Sequence, residues 1–217
     1  MIMSSPVNPK SLIFFFDVVC PYAYLAHTQL HALGEKTGVR PTWKPILLGG
    51  LFRLTGAGDG PMASMSANKA RLNLLDMHRW AEHHGVPLNM PASHPRRSVF
   101  AMRSIIASND VERAARALYP AYWRDDQDIT RPDVVARVLD EAGLDGATIT
   151  ERANELSVKQ TLRANTDDAA VAGAFGVPTF LVRVGARPPE LFYGQDRLLF
   201  VETALNTSGE KSTQGVE

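Results

Sequence analysis

The feature that most constrains this chain is an apolar run, residues 11–19, that stops directly before Cys20-Pro21. The run is apolar on both alternating faces and rich in aromatic and β-branched residues, so it predicts a strand in the centre of a sheet. Helical spacing follows from Pro21 to Lys36, and residues 40–48 predict a second strand. A strand, helix and strand in this order usually pair their strands in parallel. The sequence therefore predicts an α/β protein.

The middle of the chain is helical, and its end returns to strands. Periodicity and stop signals predict helices at 68–84, 97–108, 111–124, 132–142 and 148–174, the last of them broken near Ser157. Strands at 179–184 and 190–193 form a predicted antiparallel hairpin, and residues 195–205 form a closing helix. The glycine-rich stretch 49–61 is expected to be a mobile loop.

The order of these elements predicts one α/β core that is interrupted by a helical insertion. The expected boundaries are a discontinuous domain over 11–60 and 175–205, an all-helical insertion over 61–174, and flexible tails over 1–10 and 206–217.

Charge and cysteine content exclude several classes of protein. The 217 residues include 23 Lys+Arg and 23 Asp+Glu, so no general attraction to nucleic acid or to an anionic membrane is expected. One cysteine permits neither an internal disulfide nor a four-cysteine zinc cluster. The longest apolar stretch near the start, Leu12 to Phe16, is far shorter than the roughly 20 residues of a membrane span. We expect a cytoplasmic protein that binds neither nucleic acid nor membranes.

Cys20 is the first candidate for chemistry, because it lies between the buried strand and the helix that begins at Pro21. Amide groups at a helix N-terminus stabilise an anion and lower the pKa of a thiol placed there. The alternative is that Cys20 is a small buried apolar residue. Ala23 stands where the second thiol of a C-x-x-C pair would be, so a dithiol cycle within the chain is impossible.

Two segments near the end of the chain are further candidates. Val177-Pro178-Thr179 precedes a strand, and a cis Pro178 would turn the backbone groups of Val177 outward, where an extended peptide can pair with them. An ordinary strand-starting proline is the alternative. In Gly194-Gln195-Asp196-Arg197, Asp196 either caps the last helix or helps to hold an amine and a carboxylate of a ligand.

Histidine, arginine and glycine clusters give weaker signals. His27, His31 and Glu35 share a helix face at a spacing that metal sites use, but we expect no metal. The stretch 56–60 lacks the Gly-Lys-Ser/Thr of a phosphate loop, so nucleotide binding is unsupported. Arg96-Arg97 beside His94 suit either a bound carboxylate or a solvated helix start.

Four motifs occur in an order that resembles one family. They are Phe16-Asp17-Val18-Val19-Cys20-Pro21-Tyr22-Ala23-Tyr24-Leu25, Pro45-Ile46-Leu47-Leu48-Gly49-Gly50-Leu51-Phe52-Arg53, Phe175-Gly176-Val177-Pro178-Thr179-Phe180 and Gly194-Gln195-Asp196-Arg197. Over roughly residues 11–205 the chain resembles the 2-hydroxychromene-2-carboxylate isomerases and the kappa-class glutathione transferases. These enzymes are relatives of DsbA with a thioredoxin-like fold and an all-helical insertion.

The resemblance implies glutathione as cofactor and a small aromatic carboxylate as substrate. It assigns glutathione contacts to Cys20, Val177, Tyr193, Gly194, Gln195 and Asp196, with Pro178 as the structural cis-proline. It assigns substrate contacts to Arg53, His94 and Lys69. The chain departs from the family at two positions: Cys20 replaces a common serine that steadies the glutathione thiolate, and Ala57 replaces a common asparagine. The family also implies a homodimer.

Three functions follow from these residues. The first is a glutathione-dependent isomerase that converts 2-hydroxychromene-2-carboxylate, or a similar intermediate of aromatic catabolism, into trans-o-hydroxybenzylidenepyruvate, with Cys20 as the catalytic residue. The second is a kappa-like transferase or a thiol-disulfide oxidoreductase in which Cys20 is a lone nucleophile. The third is a non-catalytic module that binds a peptide along the edge at Pro178.

Overall fold

A four-stranded mixed sheet organises the protein, whose computed structural model describes residues 9–58, 60 and 65–207. In chain order the strands are β1 (Lys10–Phe16), β2 (Thr42–Pro45), β3 (Thr179–Val184) and β4 (Glu190–Tyr193). The spatial order is β2-β1-β3-β4. β1 pairs with β2 in parallel and with β3 antiparallel, and β3 and β4 form an antiparallel hairpin. The predicted crossover and hairpin are confirmed.

Helices surround this sheet, and most of them come between β2 and β3 in the chain. They are α1 (Pro21–Thr37), α2 (Leu48–Leu54), α3 (Ala67–His84), α4 (Val99–Ala107), α5 (Val111–Trp123), α6 (Pro132–Glu141), α7 (Gly146–Arg152), α8 (Leu156–Val171) and α9 (Leu198–Asn206). A 3-10 turn (Gln195–Arg197) precedes α9. Gly38 ends α1 with a φ of 69°, the left-handed conformation that favours glycine at this position.

The segment after β2 differs from its sequence-based prediction. The strand expected over 40–48 ends at Pro45, and α2 occupies the first half of the stretch that was expected to be a mobile loop. α2 is stabilised by contacts that are distant in sequence: the Leu48 N–H donates to Asp17 Oδ2 at 2.9 Å, and Leu47 N donates to Thr166 Oγ1 at 3.0 Å. Residues 59 and 61–64 of the expected loop lie outside the described residues.

Two other boundaries differ from the prediction in smaller ways. The stretch 148–174 divides into α7 and α8, which confirms a break, although it falls at 153–155 rather than near Ser157. The expected tails fall mostly on residues 1–8 and 208–217, outside the described part, whereas Lys10 begins β1 and Asn206 ends α9.

An aromatic layer on one face of the sheet forms the centre of the core. Phe14 stacks on Phe16 at 5.2 Å and on Phe180 at 5.4 Å, and Trp43 meets Phe14 edge-on at 5.1 Å. α5 covers this layer, because Tyr119 lies 6.0 Å from Phe16. Each buried aromatic side chain contributes about 1.5–3 kcal/mol by leaving water. The layer thus fixes the end of β1, where Cys20 follows.

Gly146 provides a test of the packing between α6 and α7. A Cβ at this position would lie 2.1 Å from the Ala136 backbone oxygen. We expect Gly146→Ala to lower the free energy of unfolding by at least about 2 kcal/mol, because backbone would have to move. Urea denaturation followed by circular dichroism measures this.

Gly49→Ala in α2 is the matched control, since a Cβ there has no atom within 4 Å. The control should be neutral or stabilise by up to about 1 kcal/mol, because alanine favours a helix. Equal effects of the two substitutions would contradict the packing of α6 against α7.

Candidate functional site

The candidate site begins at Cys20, the residue that immediately precedes α1. Its backbone is extended, with φ −92° and ψ 118°, and Pro21 occupies the first helical turn. The Cys20 N–H donates to the Asp17 carbonyl at 3.1 Å, and its own carbonyl accepts from the Tyr24 N–H at 3.0 Å. The side chain is only 6% exposed. The strand end and the helix start therefore hold the thiol in one place.

The Cys20 thiol contacts the segment before β3. Its Sγ donates to the Val177 carbonyl at 3.0 Å, although the two residues are 157 positions apart in the sequence. The Val177–Pro178 peptide is cis, which confirms the prediction for Pro178. Within the described part of the chain, the Val177 N–H has no hydrogen-bond partner. The two predicted features thus meet, and one backbone donor beside the thiol is available to a ligand.

The Cys20 thiol is neutral at ordinary pH. Burial raises its pKa to about 12, while the amides of Tyr22 and Ala23 lower it by less and the negative charge of Asp17 raises it further. The expectation that the start of α1 gives this thiol a low pKa is wrong, because desolvation outweighs the helix amides. In this environment Cys20 is a hydrogen-bond donor and a poor nucleophile.

The turn after β4 closes one side of the site. The Gly194 N–H donates to the Pro178 carbonyl at 3.0 Å, which fixes the turn to the cis-proline segment. Gly194 has a φ of 102°, and a Cβ there would lie 2.6 Å from Asp196 Oδ1, so a side chain has no room. Tyr193 is half-exposed, and its ring packs on Phe175 at 4.5 Å.

Gln195 and Asp196 occupy different environments in this turn. Gln195 is buried, and its Oε1 lies 3.5 Å from His84 Nε2 on α3. Asp196 is exposed and pairs with the Arg197 guanidinium. It makes no capping hydrogen bond to the turn or to α9, so the capping interpretation is wrong. Its carboxylate faces solvent, where a ligand amine can reach it.

Tyr22 is a residue of this region that the sequence interpretation missed. It follows Pro21 in the first turn of α1 and is partly buried. Burial raises the pKa of its hydroxyl to about 12, and the neighbouring titratable groups of Cys20, Asp76, Tyr193 and Asp196 shift the pKa in the same direction. Tyr22 is therefore a neutral hydroxyl donor near the thiol. Its adjacency to Cys20 in the sequence was the available signal.

Asp17 is the second missed residue, and it lies fully buried under the site. Its carboxylate accepts from the Leu48 N–H at 2.9 Å, the Ser98 hydroxyl at 2.9 Å and the Val19 N–H at 3.2 Å. Burial raises its pKa to about 6, and these hydrogen bonds lower it by less. A charged residue at the end of an apolar strand was the signal in the sequence.

Of the three residues assigned to substrate by resemblance, Arg53 lines a cavity between helices, and His94 and Lys69 are not part of that lining. Arg53 is near the end of α2. His94 Nδ1 lies 2.9 Å from the Tyr122 hydroxyl, and burial lowers the pKa of its ring. Lys69 is exposed in the first turn of α3. Among the described residues, none of the three hydrogen-bonds to Cys20.

Residues 9–58, 60 and 65–207 contain neither a cluster of metal-binding side chains nor a membrane-spanning helix. In these residues, no three or more His, Cys, Asp or Glu side chains are grouped so that they could hold a metal ion. Nor do these residues contain a helix with the length and apolarity needed to cross a membrane. His27, from the candidate metal set, instead has its Nδ1 against the Tyr24 carbonyl and its ring on Tyr119 at 4.4 Å.

Asp17→Asn tests the buried carboxylate through the pH dependence of stability. The folded pKa of Asp17, about 6, lies above the ordinary 3.8, so the folded protein binds more protons than the unfolded chain between these values. Wild-type stability from this group therefore falls as pH rises through that window. Relative to wild type, the free energy of unfolding of the variant should therefore increase by about 2 kcal/mol between pH 4 and pH 7.

Urea titrations at several pH values measure this difference. The variant has to be compared with wild type at each pH, because His27 contributes an opposite trend in both proteins. Burial lowers the pKa of His27 to about 4, which makes stability rise with pH over part of the same range. Asp168→Asn, at a largely exposed carboxylate, is the control and should show no such trend. A difference between Asp17→Asn and wild type that does not change with pH would contradict the raised pKa.

Slow alkylation tests the state of Cys20. Because the thiol is buried and its pKa is raised, iodoacetamide at pH 8 should modify it about 100-fold more slowly than N-acetylcysteine. Mass spectrometry over time gives the rate. The same protein unfolded in urea should react at the rate of an ordinary cysteine. A folded rate equal to or above that of N-acetylcysteine would show a reactive thiolate instead.

Known proteins resemble this chain over nearly its whole length. Glutathione S-transferase kappa 1 of Rattus norvegicus is 29% identical over 216 residues, which cover 94% of this chain and 92% of the relative. The 2-hydroxychromene-2-carboxylate isomerase of Sphingobium xenophagum is 27% identical over 198 residues, which cover 90% of this chain and 98% of the relative.

Solved structures show the same fold. A 2-hydroxychromene-2-carboxylate isomerase structure superposes with a TM-score of 0.74 at 24% identity, over 89% of this chain and 93% of that one. The cytosolic disulfide reductase DsbM from Pseudomonas aeruginosa with GSH gives 0.63 at 17% identity, over 91% and 100%. The model of the DSBA-like thioredoxin domain matches residues 11–206. The chain therefore belongs to the DSBA-like thioredoxin domain family, with the predicted thioredoxin-like fold and helical insertion.

Proposed function

We propose that this protein is a glutathione-dependent isomerase that converts 2-hydroxychromene-2-carboxylate, or a similar aromatic intermediate, into trans-o-hydroxybenzylidenepyruvate. The observation that carries the proposal is a neutral thiol donor, Cys20, held at the start of α1 beside the cis-proline segment. Relatives named as this isomerase and as kappa transferases support the choice of chemistry.

The proposed glutathione site lies between the Val177–Pro178 edge and the turn from Tyr193 to Asp196. The Val177 N–H suits the carbonyl of an extended peptide-like ligand, because backbone groups beside a cis-proline pair with such ligands. The exposed Asp196 carboxylate suits the γ-glutamyl amino group of the cofactor. Gln195 and Gly194 hold the turn in position through His84 and Pro178.

Cys20 acts as a donor to the sulfur of the cofactor. Bound glutathione supplies a thiol that adds reversibly to the conjugated double bond and leaves again, so the reaction has no net oxidation. The Cys20 thiol, now directed at the Val177 carbonyl, turns toward that sulfur, and the amides of Tyr22 and Ala23 add positive potential at the same point. These groups stabilise the thiolate form without Cys20 itself losing its proton.

The substrate contacts of Arg53, His94 and Lys69 stay predictions. Arg53 and Lys69 carry positive charge that suits the substrate carboxylate. The ring of His94 suits a hydrogen bond to a substrate oxygen, because burial lowers its pKa and keeps it neutral. Its Nδ1 already meets the Tyr122 hydroxyl, so its other nitrogen is the one proposed to act.

A kappa-like transferase is the second candidate, and the 29% identity to such an enzyme favours it. It needs the same glutathione site and the same donor role of Cys20. Thiol-disulfide exchange through Cys20 is less favoured, because a buried thiol with a pKa near 12 is a poor nucleophile.

Binding of glutathione is the first test. Calorimetric titration of the reduced protein should show binding that Asp196→Ala abolishes and Cys20→Ser retains, since a hydroxyl is also a donor. Asp133→Ala is the matched control, because Asp133 pairs with Arg131 on α6 much as Asp196 pairs with Arg197. No binding of glutathione at millimolar concentration would overturn the proposal and favour the peptide-binding module.

Turnover is the second test. In an ultraviolet assay of chromene isomerisation, Cys20→Ala should lower kcat by about 10-fold to 100-fold with little change in the KM for the chromene. The reason is that the Cys20 thiol donates to the developing thiolate of glutathione. Cys20→Ser should retain most of the activity. Unchanged turnover in Cys20→Ala would remove the assigned role of the thiol. Glutathione conjugation without isomerisation would favour the transferase.

A further inference from the structure

An open cavity lies between α2, α4 and α8, and its lining contains none of the residues assigned to glutathione. Its volume is about 380 Å³, which falls in the range of small-molecule sites, roughly 300–1,000 Å³. Four cationic side chains line it: Arg53 from α2, Arg103 from α4, and Lys159 and Arg163 from α8. Asp167 is the carboxylate in the lining. The cavity is therefore strongly positive in a chain whose formal net charge is zero.

The four cations lack protein partners in the described part of the chain. Their side chains form no ion pair and donate no hydrogen bond there, and Asp167 is more than 4 Å from each of their nitrogens. One arginine just before α6 and one on α6 do have ion-pair partners. Arg131 pairs with Asp133 and Arg137 pairs with Glu141. Lys69 and Arg71 on α3 and Arg113 on α5 also lack an ion pair among the described residues. The distinctive feature of the cavity is that four such cations line one space.

Arg103 makes the case for a bound anion more specific. Its Nε is buried from solvent and has no hydrogen-bond partner among the described residues. A buried donor without an acceptor costs about 1–3 kcal/mol, and more when the group is charged. An acceptor oxygen in the cavity would remove this cost. The planar guanidinium groups of Arg53, Arg103 and Arg163 suit carboxylate oxygens in particular.

The rest of the lining indicates an apolar body on the ligand. The apolar residues Leu47, Leu54, Val99 and Leu162 line the cavity. A small inorganic anion would leave this wall wet, whereas an aromatic ring would cover it. The combination of an apolar wall with several unpaired cations fits an aromatic carboxylate.

The Asp17 carboxylate forms hydrogen bonds directly beside the cavity lining. Leu47 and Val99 line the cavity, while their neighbours Leu48 and Ser98 donate hydrogen bonds to the Asp17 carboxylate. The cavity lining contains neither Cys20 nor the turn around Asp196. The cavity and the proposed glutathione site therefore have no residue in common, and a ligand in the cavity need not displace glutathione.

We propose that the cavity between α2, α4 and α8 is a binding site for aromatic carboxylates, in which Arg53, Arg103, Lys159 and Arg163 hold the carboxylate. The cavity and its cations are observed whatever reaction the protein catalyses, and the site gives Arg53 a carboxylate to contact. The bound acid is either the reacting substrate or a second acid of the same class.

Calorimetric titration with 2-naphthoate tests the site, in parallel with inorganic phosphate. We expect wild-type protein to bind 2-naphthoate, and Arg103→Gln and Arg163→Gln to weaken its Kd by about tenfold or more. Leu54→Glu should weaken it similarly, because it adds a negative charge at a side chain that is 55% exposed and so does not disturb the fold. Thermal unfolding of each variant confirms that it is folded.

Three controls separate this site from the glutathione site. Arg131→Gln and Arg137→Gln remove ion-paired arginines and should leave the Kd for 2-naphthoate within about twofold of wild type. Asp196→Ala should also leave it unchanged, so naphthoate can bind even where glutathione does not. Saturating glutathione that leaves the Kd unchanged identifies a second acid, and glutathione that alters it identifies the reacting substrate.

Three results would overturn the proposal. The first is the absence of naphthoate binding at millimolar concentration. The second is binding that Arg163→Gln and Leu54→Glu leave unchanged. The third is phosphate binding without naphthoate binding, which would show an inorganic anion site instead.

Discussion

The buried carboxylate of Asp17 is the interaction on which the arrangement of this protein depends. It follows β1 directly and accepts hydrogen bonds from Leu48, where α2 begins, and from Ser98, immediately before α4. One side chain therefore ties the central strand to two helices that are 31 and 81 residues further along the chain. Burial disfavours the charge of Asp17. The Leu48 N–H and the Ser98 hydroxyl nevertheless need its oxygens as acceptors, because an apolar residue at this position would leave both donors without this partner.

The same carboxylate shapes the chemistry of the thiol three residues later. The backbone carbonyl of Asp17 accepts a hydrogen bond from the Cys20 N–H, and the negative charge of the Asp17 carboxylate opposes ionisation of the thiol. Burial has the larger effect, so Cys20 remains a neutral donor although it lies at a helix N-terminus. A site of this kind is suited to stabilise the thiolate of another molecule. It is less suited to form a disulfide of its own, which distinguishes it from the dithiol chemistry that the fold also supports.

α2 contributes residues to the second of the two proposed ligand sites. Its start is held by Asp17 and Thr166, and its remaining residues extend along α8, where Arg53 joins cations from α4 and α8. The proposed glutathione site uses different residues, those of the cis-proline segment and of the turn at Gly194. Asp17 thus holds the residues next to the cavity lining and is three residues before Cys20 in the proposed cofactor site.

The sequence alone determined the pattern of strands and helices around Cys20, the hairpin after Pro178 and the family, because these depend on local periodicity and on motifs that are contiguous in the chain. It did not predict α2, since that helix is stabilised by Asp17 and Thr166 from distant segments. Only the tertiary structure decided that Cys20 is neutral and that Arg53 joins Arg103 and Arg163. Desolvation and the meeting of charges from three helices depend on packing, which no short stretch of sequence contains.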